Sequence, residues 1–213
     1  MSLKIFNDII VLLANALRFY ALKYFVGIFV QKEESRWKHV SILYIIGWAW
    51  TSAISLLFSF PAMNILSNIT SLFLIFFPYR IKKIKKCLAV FIIYVINALV
   101  DSIVILSLTK YTMGQPVNQV CECITSFALL FIAIIIQRTT EPEKEITLPA
   151  LNMAALLMVP VVSIVYIYYL IIVAHEIKEI VIFASLALLF INILIFYLYH
   201  SCLLYTSPSP RDS

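Results

Sequence analysis

Glycine is almost missing from this chain, with three in 213 residues. Gly-rich loops that bring backbone amides up to a phosphate therefore cannot be built, and neither a P-loop nor a G-x-S-x-G elbow occurs. Charge is also scarce, at 13% Asp, Glu, Lys and Arg, against about 25% in soluble domains. The three histidines, His39, His175 and His200, all fall at loop or boundary positions. None belongs to an H-E-x-x-H motif, and His175-Glu176 has no second ligand at helical spacing, so no metal site is expected. The four cysteines include no C-x-x-C. Cys121 and Cys123, two apart on a helix, do not face each other. A Cys–His peptidase pair would have to join Cys87 to His39, and nothing else in the sequence supports it. No catalytic constellation is left. A cleavable secretory signal is absent too, so the first apolar segment is expected to be retained.

Apolar residues fill the chain instead: 63% are hydrophobic and the mean hydropathy is +1.00. The sequence predicts an all-α polytopic transmembrane helix bundle of six or seven spans. They fall at Ile5–Leu22 (with an extension to Val30 open), Val40–Phe58, Asn64–Tyr79, Cys87–Thr109, Gln119–Gln137, Leu148–Val173 and Ile180–His200. A cation at a helix centre costs about 2.5–3.5 kcal/mol. The first span is therefore expected to end near Lys23, with Arg18 snorkelling to the interface. Phe60-Pro61 closes the second span, Gly114 and Pro116 mark a turn, and Pro160 is expected to kink the sixth.

The net charge of +5 is a topology signal and not a nucleic-acid footprint. Loops Gln31–His39, Arg80–Lys86 and Arg138–Thr147 hold ten Lys and Arg, while the opposite side holds only Lys4, Lys110 and Lys178. By the positive-inside rule those three loops are cytoplasmic and, with seven spans, the N-terminus is outside and the C-terminus cytoplasmic. With six spans the exit side is unchanged. The Arg80–Lys86 loop also suits contact with anionic lipid, or docking of a cytoplasmic domain. There is no internal repeat with paired Gly- or Pro-broken helices, which weighs mildly against a transporter.

Polar residues inside the apolar runs form stripes. Asn64, Ser67, Asn68 and Ser71 share one helical face, as do Tyr94, Asn97 and Asp101, and as do Gln119, Glu122, Thr125 and Ser126. The topology puts them at similar depth in the outer half of the membrane. Asn64, Asn68, Asn97, Asp101, Glu122 and Thr125 are the candidate ligand-binding residues, because intramembrane carboxyls are costly and point to function. The competing reading is interhelical hydrogen bonding that holds the bundle together.

The run Ile180–His200 ends in Tyr197, Tyr199 and His200, residue types suited to a membrane boundary. Then Cys202–Asp212 reads CLLYTSPSPRD, the in-frame translation of a common transposase sequencing adapter. Residues 1–201 are accordingly expected to be a natural transmembrane sensor domain, 202–213 a non-native tail, and a cytoplasmic part to be missing.

Four stretches, FYALKYFVG, FFPYRIKKIKK, IIYVINALVDSIVI and INILIFYLYH, occur in an order that resembles the membrane region of AgrC-like, GHKL-type sensor histidine kinases of Gram-positive bacteria. The resemblance implies a multi-pass cell-membrane receptor for a secreted extracellular peptide, as in quorum sensing. It implies a homodimer whose last span continues into a kinase that uses ATP and Mg and signals to a response regulator. It gives no cofactor and no catalytic residue to this fragment, and His200 lies too early to be the phospho-acceptor. The alternative function is a small membrane transport subunit, such as the substrate-capture component of a vitamin importer.

Overall fold

The computed structural model describes residues 2–30, 40–58, 61–109, 117–139, 158–163, 165–166 and 178–205. Among them the regular structure is α-helical: α1 (Ser2–Phe29), α2 (Val40–Leu57), α3 (Pro61–Phe76), α4 (Lys83–Thr109), α5 (Val117–Thr139) and α6 (Lys178–Tyr205). Residues 158–163 add a short helical stretch. Four helices are long and apolar enough to cross a membrane, over Ile5–Phe29, Val40–Leu57, Lys83–Leu108 and Val120–Arg138. Two shorter apolar helices cover Met63–Phe76 and Ile180–Ile195. The chain is an all-α helical bundle of the membrane type. Most of the sixth expected span, and the loops expected at 31–39 and 140–147, lie outside the described residues.

The clearest departure from the sequence reading is α1. It does not stop near Lys23 but runs on to Phe29, because Arg18 has a partner inside the bundle and imposes no break. Pro61 opens α3, where its missing N–H costs nothing and its fixed φ suits the first turn. The far end of α3 is closed from the basic loop: the Lys86 ammonium donates to the Phe77 carbonyl at 3.2 Å. A cation there also complements the helix dipole. One lysine of the loop is thus structural, beyond any role in topology.

Helix α4 is apolar on every side between Cys87 and Ile96, and such a segment must be buried. Leu88, Ala89, Val90, Val95 and Leu99 are all fully buried. It packs on α3, α5, α6 and α1 and is the hub of the bundle. Val95 and Leu99 meet Leu188 and Leu189 of α6. Helices α1 and α5 pack most extensively, with small residues Ala14, Ala21, Thr125 and Ala133 buried, which lets backbones come close. Near the same end of both helices, Gly27 of α1 lies against Gln137 of α5, so the two run parallel.

Helix α2 meets α1 closely at Gly47. A Cβ added at Gly47 would lie 2.8 Å from a ring carbon of the buried Phe19. Gly47→Ala is therefore expected to lower stability by about 1–3 kcal/mol through overpacking, read as a lower thermal midpoint in detergent.

Candidate functional site

The polar cluster begins with an ion pair. Arg18 of α1 donates from Nη2 to Oδ1 of Asp101 on α4 at 3.0 Å. The Arg18 side chain is 12% exposed and that of Asp101 28%. The expected snorkelling of Arg18 is thus corrected: the guanidinium points into the bundle because a carboxylate waits there. The pair sits deep. Asp101 precedes the end of α4 by eight residues, about 12 Å at the helical rise.

Glu122, on α5, lies within electrostatic range of both Arg18 and Asp101. Its Oε2 is buried with no hydrogen-bond partner among the described residues, and so is Nε of Arg18. One cation thus lies in range of two acidic side chains on different helices and is bonded to one of them. A buried polar acceptor left unused is costly. The second carboxylate and the spare guanidinium donor give the cluster an alternative pairing close at hand.

The stripes divide by how they are satisfied. Ser67, Ser71 and Ser126 donate back to the carbonyls of Asn64, Asn68 and Glu122 at 2.9, 2.8 and 2.7 Å. These hydroxyls are used up inside their own helices. Asn97 Oδ1 and Thr125 Oγ1 are buried without a partner among the described residues. Asn68 and Asn97 meet Arg18 around a slit of only about 10 Å³. The structure thus brings together Asn68, Asn97, Asp101 and Glu122 around Arg18, with Thr125 one turn along α5 from Glu122 and fully buried. Asn64 stays half-buried, its carbonyl taken by Ser67. That slit is too small to hold more than a single water in this arrangement.

Two buried polar ties between helices escaped the sequence reading. Arg18 was visible as an intramembrane charge, but its partner is 83 residues away and no local spacing reveals it. Asn192, a lone amide in the apolar run of α6, is buried and donates to Ser163 Oγ at 2.9 Å and to the Leu188 carbonyl at 2.8 Å. It ties α6 to the helical stretch 158–163.

A much roomier cleft lies elsewhere, with about 940 Å³ between α1 and α2 at the end that carries the basic loop. Tyr44 and Tyr79 hydrogen-bond across its wall. Burial pushes the Tyr79 phenol above its ordinary value, and the Tyr44 bond opposes that.

Fold and cluster together define a helical membrane bundle with an internal ion pair. The chain matches no protein-family model, no curated protein and no solved structure.

Proposed function

We propose that this chain is the membrane sensor module of a receptor, of the sensor histidine kinase kind, in which a ligand arriving from outside resets the pairing of Arg18. The reading rests on one observation above others: a guanidinium held by Asp101 on α4, with an unpaired Glu122 oxygen on α5 in range. A sensor needs two arrangements of nearly equal free energy and a ligand that favours one. Arg18 on Asp101 ties α1 to α4, and Arg18 on Glu122 ties it to α5. Helix α4 also packs on α6, so the choice reaches the helix that leads out of the bundle.

In this proposal the end carrying Arg80–Lys86 is cytoplasmic, and the ligand, an extracellular peptide, enters among Asn64, Asn68, Asn97, Asp101, Glu122 and Thr125 by widening the slit. The receptor is a homodimer in the cell membrane of a Gram-positive bacterium and signals through a kinase to a response regulator.

A second reading, the capture subunit of an importer, draws on the cleft volume, which falls within the roughly 300–1,000 Å³ of small-molecule pockets. That cleft opens at the basic end, the wrong side for capture from outside. Reading the gene past the codon for Ser201 separates the two. The receptor proposal expects a long open frame with a helical segment and an ATP site. A stop codon within a few residues contradicts it and favours the transport subunit.

A further inference from the structure

Among the described residues, the ties between α1 and α2 gather toward one end. Asn15 Nδ2 donates to Ser52 Oγ at 3.3 Å, Trp48 Nε1 donates to the Leu12 carbonyl at 3.1 Å, and Phe19 lies against Gly47. Beyond these ties, toward the basic loop, the two helices leave the 940 Å³ cleft. Its floor is apolar and aromatic, with Phe19, Val26 and Tyr44. Its rim is amphipathic: Lys23 is exposed, and the Tyr20 and Tyr24 hydroxyls meet at 3.0 Å.

Three features fix the occupant. The first is length. The α1 wall runs from Ala16 to Val30, about 21 Å at the helical rise. That equals one leaflet, half of a bilayer about 40–45 Å thick. The second is access. Tyr20 is 49% and Ile45 61% exposed, so the cleft opens sideways along the bundle, where hydrocarbon would lie. The third is charge. Lys23 stands in the rim, and Tyr79 in the wall leads directly into the exposed Arg80, Lys82 and Lys83. On α1, α4 and α5 the acids Asp8, Asp101 and Glu122 lie toward the other end. A peptide or second helix would need partners for its backbone ends, whereas a phospholipid presents one chain to the floor and one phosphate to the rim.

We propose that this cleft is a binding site for an anionic phospholipid of the leaflet at the basic end, its acyl chain between α1 and α2 and its phosphate on Lys23. The proposal does not depend on the receptor reading, since any protein with this bundle would hold the lipid.

Trp48 lines the cleft and reports on it. The chain has three tryptophans, so Trp37→Phe with Trp50→Phe leaves Trp48 as the only one. The protein is placed in phosphatidylcholine vesicles with a minor fraction of phosphatidylglycerol, and one lipid or the other carries brominated acyl chains that quench tryptophan. The expected result is that brominated phosphatidylglycerol quenches Trp48 as though enriched about fivefold, the gain of one lysine facing a headgroup of net negative charge in place of a zwitterionic one. Lys23→Arg should keep the preference and Lys23→Glu should abolish it. Ala16→Phe, which fills the deep end of the slot from an exposed position, should reduce quenching by both lipids. Equal quenching by the two lipids in the parent, or quenching by neither, overturns the proposal. An unchanged preference in Lys23→Glu overturns the phosphate position, and unchanged quenching in Ala16→Phe overturns the acyl position.

Discussion

Arg18→Leu is expected to be the most damaging single substitution in the bundle, lowering stability by up to about 3 kcal/mol, the low end of the range for removing one partner of a buried pair, because Asp101 is part-exposed. The reason is the count of charges. Arg18 is the cation beside both Asp101 and Glu122, and without it two carboxylates face each other in an apolar setting. Asp101→Asn should be milder, about 1–2 kcal/mol. It leaves Arg18 with Glu122, whose Oε2 has no partner in the present arrangement. Helicity followed during denaturation in mixed micelles measures both. Equal losses for the two variants would mean that Glu122 cannot reach the guanidinium.

Signalling output should move in opposite directions for the two acid variants. Asp101→Asn hands Arg18 to α5 and frees α4, the helix that packs on α6. Glu122→Gln removes the alternative and holds Arg18 on α4. If the pairing is the switch, the response of the complete receptor in cells should rise in one variant and fall in the other. The separation should be about 5–150-fold, the range of coupling free energies between sites. Both proteins must still insert, which surface labelling of the inserted chain checks. A ligand response unchanged in both variants would remove Asp101 and Glu122 from the switch, and with them the pocket built around them.

Much of the architecture was readable from hydropathy alone. The expected Val40–Phe58 became α2 at Val40–Leu57, and the expected Gln119–Gln137 became α5 at Val117–Thr139. Apolar runs bounded by charge are unambiguous because the bilayer sets their length. The error at α1 came from the same rule. Insertion costs are assigned to a cation alone, and Arg18 is not alone. Its partner lies on a helix reached through two intervening ones, so only the packing of α1 beside α4 brings them together.

The stripes were legible as faces, but not as sites. Spacing placed Ser67, Ser71 and Ser126 beside Asn64, Asn68 and Glu122, and the folded chain spends those hydroxyls on carbonyls of their own helices. What remains unsatisfied, Asn97 Oδ1, Thr125 Oγ1 and Glu122 Oε2, depends on side-chain positions that no periodicity specifies. The cleft at the basic end left no trace in the sequence because its walls are ordinary aromatic and aliphatic residues. Its shape follows from where Gly47 lets α2 touch Phe19.

The shared guanidinium is tested most directly by a double-mutant cycle on unfolding free energy with Asp101→Asn, Glu122→Gln and the combination. Glu122→Gln alone should stay within about 0.5 kcal/mol of the parent. In the Asp101→Asn background the same change should cost far more, because it takes the last carboxylate from Arg18. A coupling of roughly 1–3 kcal/mol is the predicted result. Losses that add to within about 0.3–0.5 kcal/mol would contradict it, and would leave Arg18–Asp101 as a fixed brace between α1 and α4.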